Sequence, residues 1–364
     1  MGRTGSLRGA GNNPDCKVNH KPVINILEVN PGPNQAMSFY RGRLPFIRLQ
    51  KKYSDQLMIH PYYKLNKPTW DYLLWFDLVF MQRPADEDNV AIAQACKRYN
   101  IPLWTDFDDL LTNIPADNPA HDAYQGEYQD NIEEIIRLST VITVSTQDLK
   151  DYLDNNFNCG SRTVVIPNAF DSHTLPHTPK FKRSKKILWR GTSTHQKDLF
   201  EFKDEIVRVM NSNKKWTLDF MGYNPFFITE HIRHSYTPKM ELDSYFEVLP
   251  RLNHSICIVP LHDCEFNRAK SNIGWQEATY AGAVCLAPDF EEWNYPGIIN
   301  YTDQKDFEEK LTAMIKGEMD LKAFHTQSWQ YINDHLSLDK INEERYKIIE
   351  QLTSLKQPQV QCTP

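Results

Sequence analysis

The chain has 364 residues, of which 40% are hydrophobic, 24% charged and 12% aromatic. This composition supplies enough apolar side chains for folded cores and excludes the disordered, collagen-like and coiled-coil classes of protein. The 41 basic and 47 acidic side chains give a formal charge of −6, which argues against a protein that holds nucleic acid through a global positive field. The length predicts two domains, at roughly 100–200 residues each.

The cysteine content, the apolar runs and the composition of residues 1–20 predict the localisation of the protein and the state of its first residues. The seven cysteines include no CxxC pair, which is typical of reduced thiols in a cytoplasmic protein. No apolar run approaches the roughly 20 residues that cross a bilayer, so we expect no stable membrane insertion. Residues 1–20 are rich in Gly, Asn and Lys and lack periodicity, which predicts a disordered lead.

Residues 21–171 alternate short β-branched runs with helical patterns, the order that produces a parallel sheet with crossover helices. Helices are predicted over Asp88–Tyr99 and Gln147–Leu153, the second opened by a capping box at residues 145–148. We therefore expect an N-terminal Rossmann-like domain in this range. Its predicted strands are Val23–Val29, Gln56–Ile59, Leu78–Met81, Pro102–Thr105, Val141–Val144 and Thr163–Ile166.

Residues 172–185 contain two prolines and a cluster of Lys and Arg, and they predict an interdomain linker. A second Rossmann-like domain is predicted over residues 186–328, followed by a bracing helix at 329–355 that spans both domains. The fold class is therefore α/β, with two tandem Rossmann-like domains that have separate cores and face a cleft. The predicted elements are strands Ile187–Trp189, Thr217–Met221, Ile256–Pro260 and Val284–Ala287, and helices Lys197–Met210, Leu242–Leu252, Ser271–Ala281, Phe307–Ile315 and Trp329–Leu352.

The turn at residues 190–196 follows a predicted strand and is the first candidate phosphate site. Such a turn directs free backbone N–H groups and the positive end of a helix to one point. A Ser-x-x-Gln capping box would open the helix, and the arginine adds a cation. An ordinary strand-to-helix turn is the alternative. The candidate contacts are Arg190, Gly191, Thr192, Ser193 and His195.

A second candidate site lies on the helix predicted over Ser271–Ala281. Lys270 stands at the start of this helix, and Glu277 follows seven residues later, roughly 10 Å along the axis at 1.5 Å per residue. This pair suits a diphosphate joined to a ribose, because the cation meets the phosphates and the carboxylate accepts hydrogen bonds from sugar hydroxyls. A surface lysine and a surface glutamate on an amphipathic helix are the alternative.

Three segments together resemble the GT-B glycosyltransferases: residues 165–171 (VIPNAFD), the Arg190-Gly191 turn, and residues 277–283 (EATYAGA). The chain is most similar to the large retaining family related to glycogen and sucrose synthases and to bacterial glycan glycosyltransferases. The resemblance covers about residues 23 to 350. It implies transfer, with retention, of a sugar from a nucleotide-diphosphate sugar bound by the second domain to an acceptor held by the first. It implies no cofactor and no dedicated metal.

The resemblance also assigns residues to the donor. The family carries two glutamates eight positions apart; Glu277 matches the second, whereas the first position is Ala269. This difference leaves the donor sugar to be held by Asn267 or Phe266 in the preceding loop, through a side chain or the loop backbone. Ser271, at the start of the helix, is a further donor-binding candidate. Arg190 and Lys270 are the candidate catalytic cations, because negative charge develops on the departing nucleoside diphosphate.

The loop after the first strand is a candidate site for the acceptor or for the donor phosphates. It lies at the carboxyl end of a strand, where open α/β sheets place ligands. A rigid turn is the alternative for this loop. Its candidate residues are Gly32, Asn34, Tyr40 and Arg41.

Carboxylates follow the fourth predicted strand. Asp106, as a catalytic candidate, and Asp108 could orient acceptor hydroxyls or act as a base; helix capping is the alternative. Residues 106–108 also match the DxD motif that holds a divalent cation in the GT-A glycosyltransferases. Because two tandem α/β halves favour GT-B, we assign no metal site.

Three classes of function are open at this point. A glycosyltransferase is the leading hypothesis, with a glycan, lipid, protein or modified DNA base as the acceptor. A sugar-nucleotide epimerase or hydrolase of the same fold is the second, and a catalytically silent sugar-binding protein is the third.

Overall fold

The computed structural model describes residues 23–32, 35–63, 70–171 and 179–354. The predicted disordered lead, Asn34 and the first half of the predicted linker lie outside the described residues. Within the described ranges, no helix combines the length and the apolar character that a membrane span requires.

The first half of the chain forms one parallel sheet whose six strands were all predicted. Its strands are β1 Ile24–Asn30, β2 Leu57–Tyr63, β3 Leu78–Gln82, β4 Leu103–Phe107, β5 Val141–Val144 and β6 Thr163–Val165. They lie in the order β2-β1-β3-β4-β5-β6. Strands β3, β4 and β5 are buried over their whole length, which explains their nearly continuous apolar sequences.

The second half forms a second parallel sheet. Its strands are β7 Lys186–Gly191, β8 Thr217–Gly222, β9 His234–Pro238, β10 Ile256–Ile258, β11 Val284–Pro288 and β12 Ile299–Tyr301. Their order is β12-β11-β10-β7-β8-β9, so β9 and β12 lie at the two edges. Sequence patterning missed both edge strands, because β9 is polar and largely exposed and β12 has three residues.

Helices connect the strands and cover the sheets. In the described ranges they are α1 Leu44–Lys52, α2 Trp70–Leu73, α3 Glu87–Tyr99, α4 Glu127–Leu138, α5 Gln147–Phe157, α6 Gln196–Glu201, α7 Lys203–Ser212, α8 Phe226–Thr229, α9 Leu242–Val248, α10 Glu265–Arg268, α11 Ile273–Tyr280, α12 Gln304–Lys316, α13 Leu321–His335 and α14 Leu338–Ser354. Side-chain caps fix some starts: Asp86 accepts from the Asn89 amide at 2.9 Å, and Thr146 accepts from the Leu149 amide at 3.2 Å.

Two predicted long helices are broken. The helix predicted over Lys197–Met210 divides at Phe202 into α6 and α7. The helix predicted over Trp329–Leu352 is the pair α13 and α14, interrupted at Leu336 and Ser337. At this interruption the backbone of Phe170 donates to the carbonyl of Leu336 and accepts from the amide of Leu338, both at 2.9 Å.

The C-terminal helix pair contacts both halves. Helix α13 packs against α11 of the second half, whereas α14 packs against α1 of the first. Asn342 of α14 donates to the carbonyl of Pro45 at 3.0 Å, and the ring of Tyr346 stacks on Tyr53 with centroids 3.8 Å apart. The pair therefore ties the two sheets together.

The two halves share part of their core, which differs from the expectation of separate cores. A single cluster of buried side chains includes Phe46 and Trp104 from the first half, Trp275 and Tyr280 from the second, and Ile349 of α14. Further clusters lie within each half. The contact between the halves is therefore apolar and continuous with their interiors.

Candidate active site

A cavity of about 190 Å³ opens where the carboxyl ends of the two sheets approach each other. Asp108 and Asp109, after β4, form its wall on the first-half side, and the second half supplies the rest. We call it the cleft cavity. Its position agrees with the rule that open α/β sheets bind ligands at the carboxyl ends of their strands. The other residues that line it are Trp189, Arg190, His195, Cys257, Ile258, Val259, Pro260, Leu261, Lys270, Ser271, Ile273, Gly274 and Trp293.

Lys270 contributes a cation to this cavity without a tight ion pair. Its Nζ lies 3.6 Å from Asp109 Oδ1 and 4.2 Å from the centroid of the Phe266 ring. Burial raises the pKa of Asp109, but the opposing effects, of which that of Lys270 is the largest and that of Arg83 the next, together lower it below its usual value, so the carboxylate is ionised. Because 3.6 Å exceeds normal hydrogen-bond length, the ammonium retains donors for an anionic ligand. Lys270 precedes α11 by three residues and lies near the amino end of that helix, which begins two residues later than predicted.

Arg190 and Glu277 form an ion pair with each other. Arg190 Nε lies 2.8 Å from Glu277 Oε2, and the hydroxyl of Tyr245 donates to the same oxygen at 2.5 Å. The hydroxyl of Tyr40, from the first half, donates to Oε1 at 2.6 Å. Burial and the Glu277 charge raise the pKa of both tyrosines, which keeps them protonated as donors. A Cβ on Gly274 would lie 3.1 Å from Arg190 Nη2, so the glycine leaves room for the guanidinium.

Glu277 is therefore not a surface residue of an amphipathic helix, because it is 5% exposed. Both of its oxygens accept hydrogen bonds from the protein, and one of them also faces the cation. The ribose contact assigned from the sequence stays a prediction. In the structure the Glu277 carboxylate contacts Arg190 and thereby fixes the direction of the Arg190 side chain.

His195 lines the cleft cavity and forms a pair with Asp198. His195 Nδ1 lies 2.9 Å from Asp198 Oδ2, and Asp198 Oδ1 accepts from His262 Nδ1 and from the Asn267 amide, each at 2.7 Å. Burial lowers the pKa of His195 more than the bond to Asp198 raises it, so the ring is neutral at pH 7. With Nδ1–H bonded to Asp198, Nε2 is the ring nitrogen that can accept from a ligand.

Asn267 is placed differently from its prediction as a donor residue. It is 2% exposed, and its amide group also donates to the carbonyl of His262 at 3.0 Å. Asn267 thus holds Asp198 and the loop in place, because a buried amide requires partners. Of the other two loop residues, Ser271 lines the cavity and accepts from Asn168 at 2.8 Å, and Phe266 lies under Lys270.

The turn at residues 190–196 contains no capping box. Ser193–His195 form one turn of 3₁₀-helix without a side-chain cap, and α6 has six residues. Thr192 and Ser193 are exposed at the surface, and the Thr192 hydroxyl lies 2.7 Å from that of Thr194. A Cβ on Gly191 would lie 2.9 Å from the Trp189 ring, which explains the glycine. The cleft cavity therefore receives Arg190 and His195 from this turn.

Asp106 and Arg41 lie in the interior, which corrects their assignment to catalysis and to the phosphate loop. Arg41 Nε and Nη2 donate to the two oxygens of Asp106 at 3.0 and 2.7 Å, and Thr143 donates to Asp106 at 2.6 Å. Asp106 is 2% exposed and Arg41 1% exposed. The π-helical turn Ser38–Arg43 carries Arg41 to this position. Of the other loop residues, Tyr40 bonds to Glu277 and Gly32 follows β1.

A second cavity, of about 370 Å³, lies at the carboxyl ends of β1 and β3. We call it the first-sheet cavity. Tyr62, Tyr124 and Tyr128 line it together with carboxylates of the α3 start. Its remaining lining residues are Val29, Asn30, Pro31, Gln82, Arg83, Ala85, Asp86, Asp88, Asn89, Ile92 and Ala123.

Arg83 connects the two cavities. It lines the first-sheet cavity, and its guanidinium donates to Asp108 at 3.0 Å and to Asp109 at 3.2 Å, both of which line the cleft cavity. Its φ of 50° lies in the left-handed region that a non-glycine residue rarely adopts. Arg83 was not among the predicted site residues, although a charged residue at the carboxyl end of a predicted strand was an available signal.

The DxD-like carboxylates have different partners, because Asp106 pairs with Arg41 and Asp108 with Arg83. Among the residues that the structure describes, no group of three or more His, Cys, Asp or Glu is arranged to hold a metal ion.

Comparison with known proteins identifies the fold. No protein-family model and no curated protein sequence matches the chain. Among solved structures, Anabaena HepE in complex with UDP and glucose has a TM-score of 0.64 at 11% identity, over 90% of this chain and 100% of that one. Sucrose-phosphate synthase from Thermosynechococcus elongatus has a TM-score of 0.65 at 10% identity, over 92% and 100%.

The UDP-GlcNAc 2-epimerase of Neisseria meningitidis, bound to UDP-GlcNAc, has a TM-score of 0.54 at 12% identity, over 90% of this chain and 100% of that one. With its two six-stranded parallel sheets, the chain has the GT-B fold, and the predicted fold class is confirmed. At these identities the similarity establishes the fold, which sugar-transferring enzymes and an epimerase share.

Proposed function

We propose that the protein is a glycosyltransferase that takes its donor, a nucleotide-diphosphate sugar, in the cleft cavity and its acceptor in the first-sheet cavity. The observation that carries this proposal is the pair of cavities joined by Arg83, Asp108 and Asp109. A transfer reaction needs two substrates side by side, whereas epimerisation or hydrolysis of a sugar nucleotide needs one organic substrate. UDP is the proposed nucleotide, because HepE and the epimerase were solved with UDP or a UDP-sugar.

The donor diphosphate would lie against Lys270 and Arg190. Departure of the nucleoside diphosphate places growing negative charge on a phosphate oxygen, which preorganised cations stabilise. Arg190 suits this task because Glu277 holds Nε while the Nη nitrogens remain for a ligand. The neutral His195 would accept a hydrogen bond from a donor hydroxyl through Nε2.

The acceptor would present its hydroxyl near Asp108. Burial raises the pKa of Asp108 against the opposing effect of Arg83, and the side chain stands between the two cavities. A carboxylate in this position would orient the attacking hydroxyl. We propose retention of configuration from the family resemblance, and the anomeric signal of the product in ¹H NMR would establish it.

Incubation with isotope-labelled UDP-sugars, with and without cell extract as the acceptor source, tests the proposal. We expect label to move into a new product only when acceptor is present. An epimerase is the second candidate, favoured by its shared fold, and it would isomerise the UDP-sugar without any acceptor. Label that remains in unchanged donor across the panel of UDP-sugars would contradict both enzyme assignments and favour a binding protein.

A further inference from the structure

A large groove lies at the edge of the second sheet opposite the cleft cavity. Its volume is about 910 Å³, and its walls include the residues that immediately precede β7, β8 and β10. The carboxyl ends of β7 and β10 lead into the cleft cavity, so this groove is at the amino ends of the same strands. We call it the basal groove and define it by Phe181, Arg183, Lys185, Trp216, Lys316 and Lys322.

The basal groove is strongly basic. Arg183, Lys185, Lys316 and Lys322 are exposed, and none of these four cations has an acidic partner among the described residues. The carboxylate that lines the groove, Asp320, caps α13 through the Ala323 amide at 3.2 Å. Residues 180–186 contain five cations and no carboxylate in a chain whose formal charge is −6. The positive charge is therefore a local feature and does not follow from composition.

The floor of the basal groove is apolar and aromatic. Trp216 and Phe181 are half-buried and line the groove, where they pack against the core of the second half. An aromatic floor with a cationic rim matches a ligand that carries both flat rings and phosphates. A membrane surface fits less well, because insertion into a bilayer requires protruding apolar side chains and this surface is concave.

We propose that the basal groove binds single-stranded nucleic acid. Phosphates contact Arg183, Lys185, Lys316 and Lys322, and a base stacks on Trp216. Because the groove and the cleft cavity lie at opposite ends of the strands, this binding is independent of the donor site and of the proposed transfer reaction.

Fluorescence anisotropy of a labelled oligo-dT 20-mer tests the charge contribution. The groove variant carries Arg183→Gln, Lys185→Gln, Lys316→Gln and Lys322→Gln. A matched control replaces four exposed cations elsewhere, Arg137, Arg251, Lys305 and Lys347, by Gln. We expect the groove variant to lose at least about tenfold in affinity and its log–log salt slope to fall by about three, at ~0.7 per phosphate contact, with the control unchanged.

The stacking contact is tested at Trp216. We expect Trp216→Leu to weaken binding about tenfold and Trp216→Phe to retain it, because any aromatic ring can stack on a base. Thermal unfolding reports whether each variant folds. If Trp216→Leu does not fold, the groove variant with its four replaced cations still tests the site. Saturating UDP should leave oligonucleotide binding unchanged. Vesicles that contain phosphatidylserine are tested in parallel as the alternative ligand. The proposal is overturned if the 20-mer does not bind, if the groove and control variants bind it equally, or if the protein binds the vesicles and not the 20-mer.

Discussion

Two charged residues near the point where the halves meet, Arg41 in the first half and Lys270 in the second, are paired in opposite ways. In the first half, Arg41 and Asp106 are enclosed and bound to each other through two hydrogen bonds. In the second half, Lys270 faces the cleft cavity with its nearest carboxylate 3.6 Å away. The difference teaches that a charge saturated by protein partners serves folding, whereas a loosely paired charge at a cavity wall is available to a ligand.

The largest expected effect is on stability, at Arg41. Arg41→Ala leaves Asp106 buried without its cation, so we expect the free energy of unfolding to fall by about 3–5 kcal/mol in urea denaturation followed by circular dichroism. Arg48→Ala is the matched control, because Arg48 pairs with Asp171 at 2.9 Å while 18% of its side chain is exposed. Equal decreases in the free energy of unfolding for the two variants would show that the Arg41–Asp106 pair stabilises the fold no more than the Arg48–Asp171 pair does.

The next effect is on catalysis, at Lys270. Lys270→Ala should reduce sugar transfer roughly a hundredfold, the scale of losing one preorganised contact to developing charge. Stability should remain within about 1 kcal/mol, because Arg83 still faces Asp109. Lys197→Ala, which removes a half-buried cation paired with Glu201, serves as the control. Turnover at the wild-type rate in Lys270→Ala would remove the lysine from the donor site.

The same contrast explains what the sequence could predict. Buried parallel strands have continuous apolar runs, so all strands of the first sheet and the four inner strands of the second were predicted. The two edge strands of the second sheet, β9 and β12, were missed because they have little or no apolar run. Arg190 and Asp108, which lie at the carboxyl ends of predicted strands, both line the cleft cavity, and their roles toward a ligand stay predictions. Asp106 was predicted to be catalytic but is buried in an ion pair. Its partner Arg41 is 65 residues away in the sequence, and no local sequence pattern indicates that pair.

Contacts between distant elements account for the other differences. The Tyr40 hydroxyl reaches Glu277 across 237 residues, and Tyr245 reaches the same carboxylate from α9. The break between α13 and α14 depends on backbone bonds to Phe170, which no helical pattern contains. Residue types at strand ends thus indicate where a site lies. The role of each residue in the site depends on its contacts with residues that are distant in the sequence.

A third, smaller effect concerns pH and the first half. Burial raises the pKa of Glu28 from 4.5 to about 7, with the hydrogen bond from Asn30 and the charge of Arg43 opposing it. The folded state therefore holds a proton that the unfolded chain releases, and stability is lost as the pH rises from about 4.5 to about 7. Glu28→Gln should reduce the stability difference between pH 5 and pH 8 by about 2 kcal/mol. Glu343→Gln, at an exposed glutamate, should leave that difference unchanged.

The smallest expected effect separates two roles of Glu277. If the carboxylate positions Arg190, Glu277→Gln weakens a charge-assisted bond and lowers the transfer rate about tenfold, while the preference for UDP over 2′,3′-dideoxy-UDP in calorimetric titration stays as in the wild type. If it binds ribose, that preference is lost. We expect the first result, because Tyr40 and Tyr245 already donate to the two oxygens and Arg190 forms an ion pair with one of them.

Tyr40→Phe provides the control for this test, because it removes one donor to Glu277 and leaves the carboxylate and Arg190 in place. It should cost about 1 kcal/mol of stability, the scale of one hydrogen bond, and leave the ribose preference unchanged. A ribose preference that disappears in Glu277→Gln and persists in Tyr40→Phe would return the carboxylate to the donor site. Glu277 would then act on the ligand directly although protein groups already contact both of its oxygens, which would contradict the contrast drawn from Arg41 and Lys270.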